Sequence, residues 1–214
     1  AFFERVLTIY GRNAVLEALQ DNALLCHCVH LADSNREAGS IGDIRRIAQK
    51  RDIPLKMHAR SALSRISKNG KQDQGVAADI ICPGFQTVDS FLQGLSGERT
   101  TRLLALDGIT NPQNLGMIIR SAAAGQINGI IWSRRGNAAL GPLVIKASAG
   151  TLYKAPILIC QDLEYALSAC RNQGMDVCTL EADASESLFQ RQEAKQSVYV
   201  LGNESEGVSK AVRK

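Results

Sequence analysis

The chain has 214 residues, of which 45% are hydrophobic and 21% charged, and this composition is typical of one large or two small globular domains. No run approaches the ~20 apolar residues that span a bilayer, and the first residues lack a signal peptide's basic and apolar regions, so we expect a cytoplasmic protein with no membrane partner. The formal net charge of +4 is uneven, because nine Lys or Arg and only one acidic residue lie between Arg45 and Lys71.

The first 84 residues alternate helical and strand patterns. Apolar residues at positions 15, 16, 18 and 19 form one stripe of a helix that closes near Asp21, and a similar stripe recurs between positions 41 and 48. Further elements are predicted as strands near 26–32, 55–57 and 75–82 and a short helix near 61–66. This alternation predicts a small α/β domain over residues 1–84.

The second part of the chain begins with residues 85–99, which we predict as a connection. A longer α/β pattern follows over residues 100–214. Its strands are predicted near 102–107, 128–133, 156–160, 176–180 and 197–201, and its helices near 112–124, 142–149, 162–173 and 186–193. Such alternation predicts a parallel sheet, which binds ligands at the carboxyl ends of its strands.

Six cysteines lie at positions 26, 28, 82, 160, 170 and 178, without zinc-ribbon spacing or a Cys-x-x-Cys pair. The cluster Cys26, His27, Cys28 and His30 is the one candidate for a metal. Because alternate residues of a strand point to opposite faces, and nothing nearby completes a tetrahedral set, we expect no metal site. The thiols are expected to be reduced and mostly buried.

Two blocks in the second part carry the chemistry. Residues 106–116 read LDGITNPQNLG and are followed by Arg120, and residues 198–209 read VYVLGNESEGVS. Asn111 and Pro112 form a good helix start, because Asn caps free amides and Pro loses no hydrogen bond at the first position. A third stretch, KASAG at 146–150 followed by Pro156, lies between the blocks.

In this order the blocks resemble the motifs of the SpoU family of RNA 2'-O-ribose methyltransferases. The run YGRNAVLEAL at 10–19, with QGVA at 74–77, resembles the RNA-binding domain that precedes the catalytic domain in many members. The resemblance implies an α/β-knot (SPOUT) methyltransferase domain over 100–214, a homodimer, and S-adenosylmethionine as methyl donor. No Gly-x-Gly-x-x-Gly fingerprint follows the first strand, which disfavours a classical Rossmann enzyme.

Site residues follow from the same resemblance. The catalytic residues would be Asn114, Arg120 and Glu204, with Glu206 as the alternative acid. Contacts to the donor would come from Thr179, Leu180, Leu201, Gly202 and Asn203. Arg120, a rise of ~9 Å from Asn114, would reach back to share its site. The family role of this arginine is a base, but a guanidinium is essentially never deprotonated, so it could instead clamp a phosphate.

The function implied is 2'-O-methylation of RNA, and the N-terminal domain favours a guanosine of 23S-type ribosomal RNA. Transfer RNA is the alternative substrate, and a non-catalytic RNA-binding module is the alternative function. RNA contacts are expected from Arg12, Arg45, Arg46, Lys50 and Arg51, against the simpler reading of a solvated helix face. The family's third motif is absent from these 214 residues, so we expect a C-terminally incomplete chain, with a degenerate protein as the alternative.

Overall fold

The computed structural model describes residues 2–97, 99–125, 127–192 and 194–213. The chain divides into two compact units. The first unit comprises Ala1–Pro83 with Leu140–Pro142, and the second comprises Gly84–Ala139 with Leu143–Lys214. None of the helices in the described ranges is long and apolar enough to cross a membrane.

The first unit is a four-stranded sheet with three helices. Its elements are β1 (Val6–Tyr10), α1 (Arg12–Gln20), β2 (Leu25–Ala32), α2 (Ser40–Lys50), β3 (Leu55–His58), α3 (Arg60–Ser67) and β4 (Val76–Ile81), after a 3-10 helix at Phe2–Arg5. The strand order is β1-β4-β2-β3, with only the β2–β3 pair parallel. Helices form where the predicted apolar stripes are buried, as at Val15 and Leu19 of α1 and Ile41 and Ile44 of α2.

A chain of polar side chains crosses all four strands of this first sheet. The Thr8 hydroxyl donates to Asp79 Oδ1 at 2.7 Å, and His30 Nε2 lies 3.0 Å from Asp79 Oδ2. His30 Nδ1 is in turn hydrogen-bonded to His58 Nε2 at 2.9 Å. Sequence patterns could not reveal these hydrogen bonds, because the bonded residues lie up to 71 positions apart.

The second unit is a six-stranded sheet flanked by helices. Its elements are β5 (Gln86–Thr87), α4 (Val88–Gln93), β6 (Thr101–Leu106), α5 (Pro112–Ala124), β7 (Gly129–Ser133), α6 (Pro142–Ala147), a 3-10 helix (Thr151–Tyr153), β8 (Ile157–Cys160), α7 (Leu163–Asn172), β9 (Asp176–Leu180) and β10 (Gln196–Leu201). The order is β5-β8-β7-β6-β10-β9, and every pair is parallel. The predicted α/β class with a parallel sheet is confirmed.

The segment 85–99, predicted as a connection, contains the short strand β5 and the helix α4. β5 pairs with β8 of the second unit. The Thr87 hydroxyl caps α4 by accepting from the Ser90 amide at 3.1 Å, and Val88 and Leu92 are buried. The segment is therefore structured and packs on the second sheet, while the domain boundaries themselves stay a prediction.

The predicted helix at 186–193 is wrong over its described residues, which form turns and bends through position 192. Glu193 lies outside the described residues. A helix here would need an apolar face against the sheet, but Leu188 is 44% exposed and Phe189 is 96% exposed. Arg191 instead holds the segment by an ion pair to Asp176 of β9.

Candidate functional site

The two motif blocks emerge side by side at the carboxyl edge of the second sheet. β6 and β10 are parallel neighbours, and Leu106 pairs with Leu201 at their ends. Just beyond, the Asp107 amide donates to the Leu201 carbonyl at 2.9 Å. The edge where parallel sheets bind ligands thus brings together the blocks that the sequence singled out.

Asn203 ties the two loops to each other. Its Nδ2 donates to the Gly108 carbonyl at 2.8 Å, across to the loop that follows β6. Its Oδ1 accepts from the amides of Ser205 and Glu206 at 2.9 and 3.3 Å. Its backbone amide and carbonyl both pair with Gly207, at 3.0 and 2.9 Å. The turn over 203–207 is therefore fixed by hydrogen bonds from one residue.

Gly202 is required by this turn itself. A Cβ built at Gly202 would overlap the carbonyl group of Gly207 and the amide of Val208. Gly207 has a φ of 67°, in the region that favours glycine. The donor contact expected of Gly202 stays a prediction, and in the structure the atoms that leave no room for a Cβ belong to the chain's own backbone.

The helix α5 begins where its sequence predicts, and it packs closely on α6. Asn111 Oδ1 accepts from the amides of Gln113 and Asn114 at 2.8 and 3.4 Å, ahead of Pro112. Gly116 is buried where a Cβ would overlap Ala147 of α6. This close packing at Gly116 sets α5 against α6, with the first turn of α5 at the sheet edge.

A cleft of about 590 Å³ opens between the first turns of α5 and the ends of β9 and β10. Its volume is within the range of small-molecule sites. Of the predicted donor contacts, Leu180, Leu201, Gly202 and Asn203 line this cleft. Thr179 lines a neighbouring pocket of about 500 Å³ instead.

The structure places two of the three predicted catalytic residues in the lining of the cleft and the third outside the described lining. Asn114 and Glu204 both line the cleft, and so does Glu206. Arg120 is exposed on α5 and is not among the described lining residues. Six residues at ~100° each turn Arg120 by ~120° from Asn114 around the helix axis, and a rise alone does not bring two side chains to one face. The role of Arg120 stays a prediction.

A family model described as the SpoU rRNA methylase family matches residues 101–214, more than half of the chain. The chain belongs to the SpoU methylase family. A second model, described as RNA 2'-O ribose methyltransferase substrate binding, matches residues 8–86. Both halves of the predicted architecture therefore have family support.

Relatives of this SpoU chain are named RNA methyltransferases. A Staphylococcus saprophyticus protein named as a TrmH-family tRNA/rRNA methyltransferase is 28% identical over 210 residues, covering 97% of this chain and 82% of the relative. An uncharacterised tRNA/rRNA methyltransferase of Mycolicibacterium vanbaalenii is 31% identical over 208 residues, covering 96% of this chain and 65% of the relative.

Solved structures share the fold of this SpoU chain. An rRNA methyltransferase from Sinorhizobium meliloti aligns with a TM-score of 0.60 at 20% identity, over 99% of this chain and 76% of that one. The SpoU methyltransferase AviRb from Streptomyces viridochromogenes, in complex with AdoMet, aligns with a TM-score of 0.56 at 17% identity, over 98% of this chain and 77% of that one. At these identities the likeness concerns the fold.

The sequence motifs did not identify all of the charged residues that line the SpoU cleft. Glu181 and Asp183 follow β9 and line the cleft, as does Arg213. Arg213 Nε lies 3.3 Å from Glu181 Oε1 and donates to the Val208 carbonyl at 2.8 Å. The signal that could have found the two acids is their place directly after a parallel strand, at the ligand-binding edge.

The predicted RNA contacts on α2 are largely engaged within the SpoU chain. Arg45 pairs with Glu37 at 3.1 Å and Arg46 with Asp43 at 2.7 Å. A charge count that begins at residue 45 omits both of these acids. Lys50 is exposed. Their binding to RNA stays a prediction.

Two further arginines predicted to contact RNA also bind backbone carbonyls. Arg51 donates to the carbonyls of Leu19, Asp21 and Leu24 at 2.7, 3.2 and 2.6 Å, which closes the end of α1. Arg12 is exposed, and its Nε donates to the Gln74 carbonyl at 3.2 Å. Arg51 thus has a structural role that its sequence context did not reveal.

No group of three His, Cys, Asp or Glu side chains suited to a metal occurs among the described residues of this SpoU chain. The strand β2 has an irregularity between Cys26 and Cys28, so these two residues are not simply alternate positions of a regular strand. All six cysteines are free, with Cys28, Cys82 and Cys170 buried and the others half-buried.

Proposed function

We propose that this chain methylates the 2'-hydroxyl of a ribose in RNA, with S-adenosylmethionine as donor. The observation that carries the proposal is the cleft in which both motif blocks meet, joined by the Asn203 bond to Gly108 and lined by Asn114 and Glu204. Family membership supports the reaction class, and crystal structures of AviRb and of the Sinorhizobium enzyme are described with AdoMet bound.

The lining of the cleft fits the proposed donor. S-adenosylmethionine supplies a methyl group on a positively charged sulfonium. Four carboxylates against one guanidinium lie in the lining, and this balance favours a cationic ligand. Leu180, Leu201 and Gly202 lie at strand ends, where backbone amides and carbonyls can hold the adenosyl part by hydrogen bonds.

The ribose hydroxyl is a poor nucleophile, so the protein must align it with the methyl group and assist its proton. Asn114, in the first turn of α5, is placed at the cleft to hold the hydroxyl, and Glu204 to orient it. Arg120 acts as a phosphate clamp or as the base. Its position outside the cleft lining supports the clamp, because a base must reach the hydroxyl directly.

We favour a guanosine of 23S-type ribosomal RNA as the target and keep transfer RNA as the alternative. The substrate-binding match at residues 8–86 supports RNA, and the relatives' names include both tRNA and rRNA. A homodimer and a trefoil knot also remain proposals carried by the family resemblance, and a cytoplasmic location remains a proposal from the sequence pattern. The second candidate function is an RNA-binding module without catalysis, which the exposed cations of the first unit favour.

The test is transfer of labelled methyl from S-adenosylmethionine to unmodified 23S ribosomal RNA and transfer RNA transcripts. We expect labelled methyl at one nucleotide. The RNA should resist alkaline cleavage there, since a methylated 2'-hydroxyl cannot attack the adjacent phosphate. Asn114→Ala should lower kcat at least tenfold, because hydroxyl alignment is lost. Gln113→Ala, one position away on an exposed side chain, is the matched control. Donor binding without any transfer to either RNA would contradict the proposal.

A further inference from the structure

The loop that follows β7 lies at the same sheet edge as the donor cleft. β7 is the parallel neighbour of β6, and its loop carries two adjacent arginines, Arg134 and Arg135. Both are exposed. Among the described residues, neither side chain has an ion-pair partner, unlike the arginines of α2. Two guanidinium groups are thus presented to solvent beside the site.

This loop is built rigidly onto the first motif. Asn137 Nδ2 donates to the Leu106 carbonyl at 3.0 Å, and Asn137 Oδ1 accepts from the Ile109 amide at 2.8 Å. The Ala138 amide donates to the Ile109 carbonyl at 2.8 Å. Because Ile109 also lines the cleft, the arginine loop is connected by hydrogen bonds to the wall of the site.

The two arginines are themselves held by their backbone. The Ser133 hydroxyl donates to the Arg135 carbonyl at 2.6 Å, and the Arg134 amide donates to the Cys160 carbonyl of β8 at 3.0 Å. The turn is completed at Gly136, which has a φ of 86°. A loop fixed in this way orders its side chains at less entropic cost when a ligand binds.

The charges of the cleft and of this loop indicate the kind of ligand that the loop is suited to bind. The acidic lining of the cleft repels phosphates, so a polyanionic substrate needs cations at the margin of the cleft to bring its ribose to the methyl donor. Guanidinium groups bind phosphate oxygens in a bidentate manner. Aromatic residues are only 5% of the chain, which favours backbone contact over base stacking.

We propose that Arg134 and Arg135 bind phosphates of the substrate RNA and position it at the donor cleft. The proposal rests on the proposed function and names residues that neither motif contains. Phosphate contacts fix the register of a nucleic acid without reading its sequence. The pair therefore acts on RNA affinity and alignment and leaves donor binding unchanged.

The test compares two double variants of the full chain. Arg134→Ala with Arg135→Ala removes the pair, and Arg99→Ala with Arg171→Ala removes two exposed arginines at the opposite edge, before β6 and at the end of α7. RNA binding is measured by filter retention of an unmodified 23S ribosomal RNA transcript between 50 and 300 mM KCl, without donor. Donor binding is measured separately by calorimetry.

We expect the first variant to bind RNA at least tenfold more weakly and the control to stay within twofold. Losing two phosphate contacts should also make the slope of log affinity against log salt shallower by about 1.5. Lysines at both positions should restore the slope but not the full affinity, because the bidentate geometry is lost. Where transfer is measurable, KM for RNA should rise more than kcat falls.

Equal losses in the two double variants, or no RNA binding by the unaltered chain, would overturn the proposal. A chain that binds RNA through this pair but never transfers methyl would refute the proposed function while leaving the RNA contact established. Loss of donor binding in the first variant would also count against the proposal, since it would indicate a disturbed cleft.

Discussion

At the scale of single residues, the site depends on two positions whose sequence neighbours do not reveal their roles. Asn203 joins the loops of both motifs by one side-chain hydrogen bond, to the Gly108 carbonyl, and holds its own turn by two more, from the amides of Ser205 and Glu206. Gly202 leaves space for the backbone of Gly207. Both residues hold the cleft in shape, and this role is separate from any contact they make with the donor.

Gly202→Ala tests this structural role. The added methyl group would overlap backbone atoms that cannot rotate away, so the turn must shift. We expect a loss of about 1–3 kcal/mol in the free energy of unfolding and at least tenfold weaker donor binding. Gly97→Ala is the control, because a Cβ there meets nothing within 4 Å. Chemical denaturation and calorimetry measure the two effects, and a Gly202 variant as stable as the Gly97 variant would refute the role.

At the scale of elements, the sequence pattern predicted the helices correctly where buried residues recur with the period of a helix. The helices α1, α2, α5 and α7 match predictions because a stripe of each is buried. The strand β1 was missed because its five residues directly precede a stronger helical pattern. The predicted helix after residue 186 fails because sequence spacing cannot tell whether a sheet is available to cover the apolar residues.

The residues of the site, like the helices, were predictable only where a sequence pattern determines their place in the fold. Residues within a motif, such as Asn114 and Leu201, reach the cleft because motif order fixes their place at strand ends. Glu181 and Asp183 were missed because no motif contains them. Arg120 shows the remaining limit, since the direction of a side chain around a helix depends on which face is buried.

The polar chain across the first sheet makes its stability depend on pH. Burial, with the neighbouring His30 and Lys56, lowers the pKa of His58. Burial alone would raise the pKa of Asp79, but hydrogen bonds from His30 and Thr8 lower it. Both shifts mean that the unfolded chain binds protons more readily, so stability falls as pH falls. The His58 contribution is lost below its ordinary pKa, near neutrality, and the Asp79 contribution in stronger acid.

We therefore expect backbone amides of β2 and β3 to exchange with deuterium faster at pH 5.5 than at pH 7.5, after correction for the intrinsic rate. His58→Gln should remove most of this difference, because it deletes the titrating group. His27→Gln is the control, since His27 is exposed on the same sheet and lies outside the polar chain. Equal behaviour of the two variants would contradict the assignment to His58.

At the scale of the whole molecule, acidic and basic side chains are concentrated at different places, which the net charge alone does not show. The net charge of +4 combines an acidic cleft lining, two paired arginines on α2, and Arg134 and Arg135, which have no ion-pair partner among the described residues. A sequence window reports the sum of neighbours along the chain, whereas RNA responds to the charges that share a surface. A basic segment in sequence therefore does not by itself identify the surface that binds RNA, and RNA binding by Arg45 and Arg46 stays a prediction.

Most cysteine thiols of the molecule are expected to react slowly with thiol reagents. Burial raises the pKa of Cys26, Cys82 and Cys160 to about 12 and that of Cys170 to about 11, and it also raises the pKa of Cys28. Since the thiolate is the reactive form, Cys26, Cys82, Cys160 and Cys170 should react with a thiol reagent at pH 8 at least ~100-fold more slowly than in the unfolded chain, and Cys28 should also react more slowly. Cys178 is half-buried on β9 and should react first. Mass spectrometry after timed labelling measures this order, with Cys178→Ser removing the fast phase. Fast labelling of the buried Cys28 would instead indicate that β2 opens readily in the native state, because access of the reagent to this thiol requires the strand to leave its buried position.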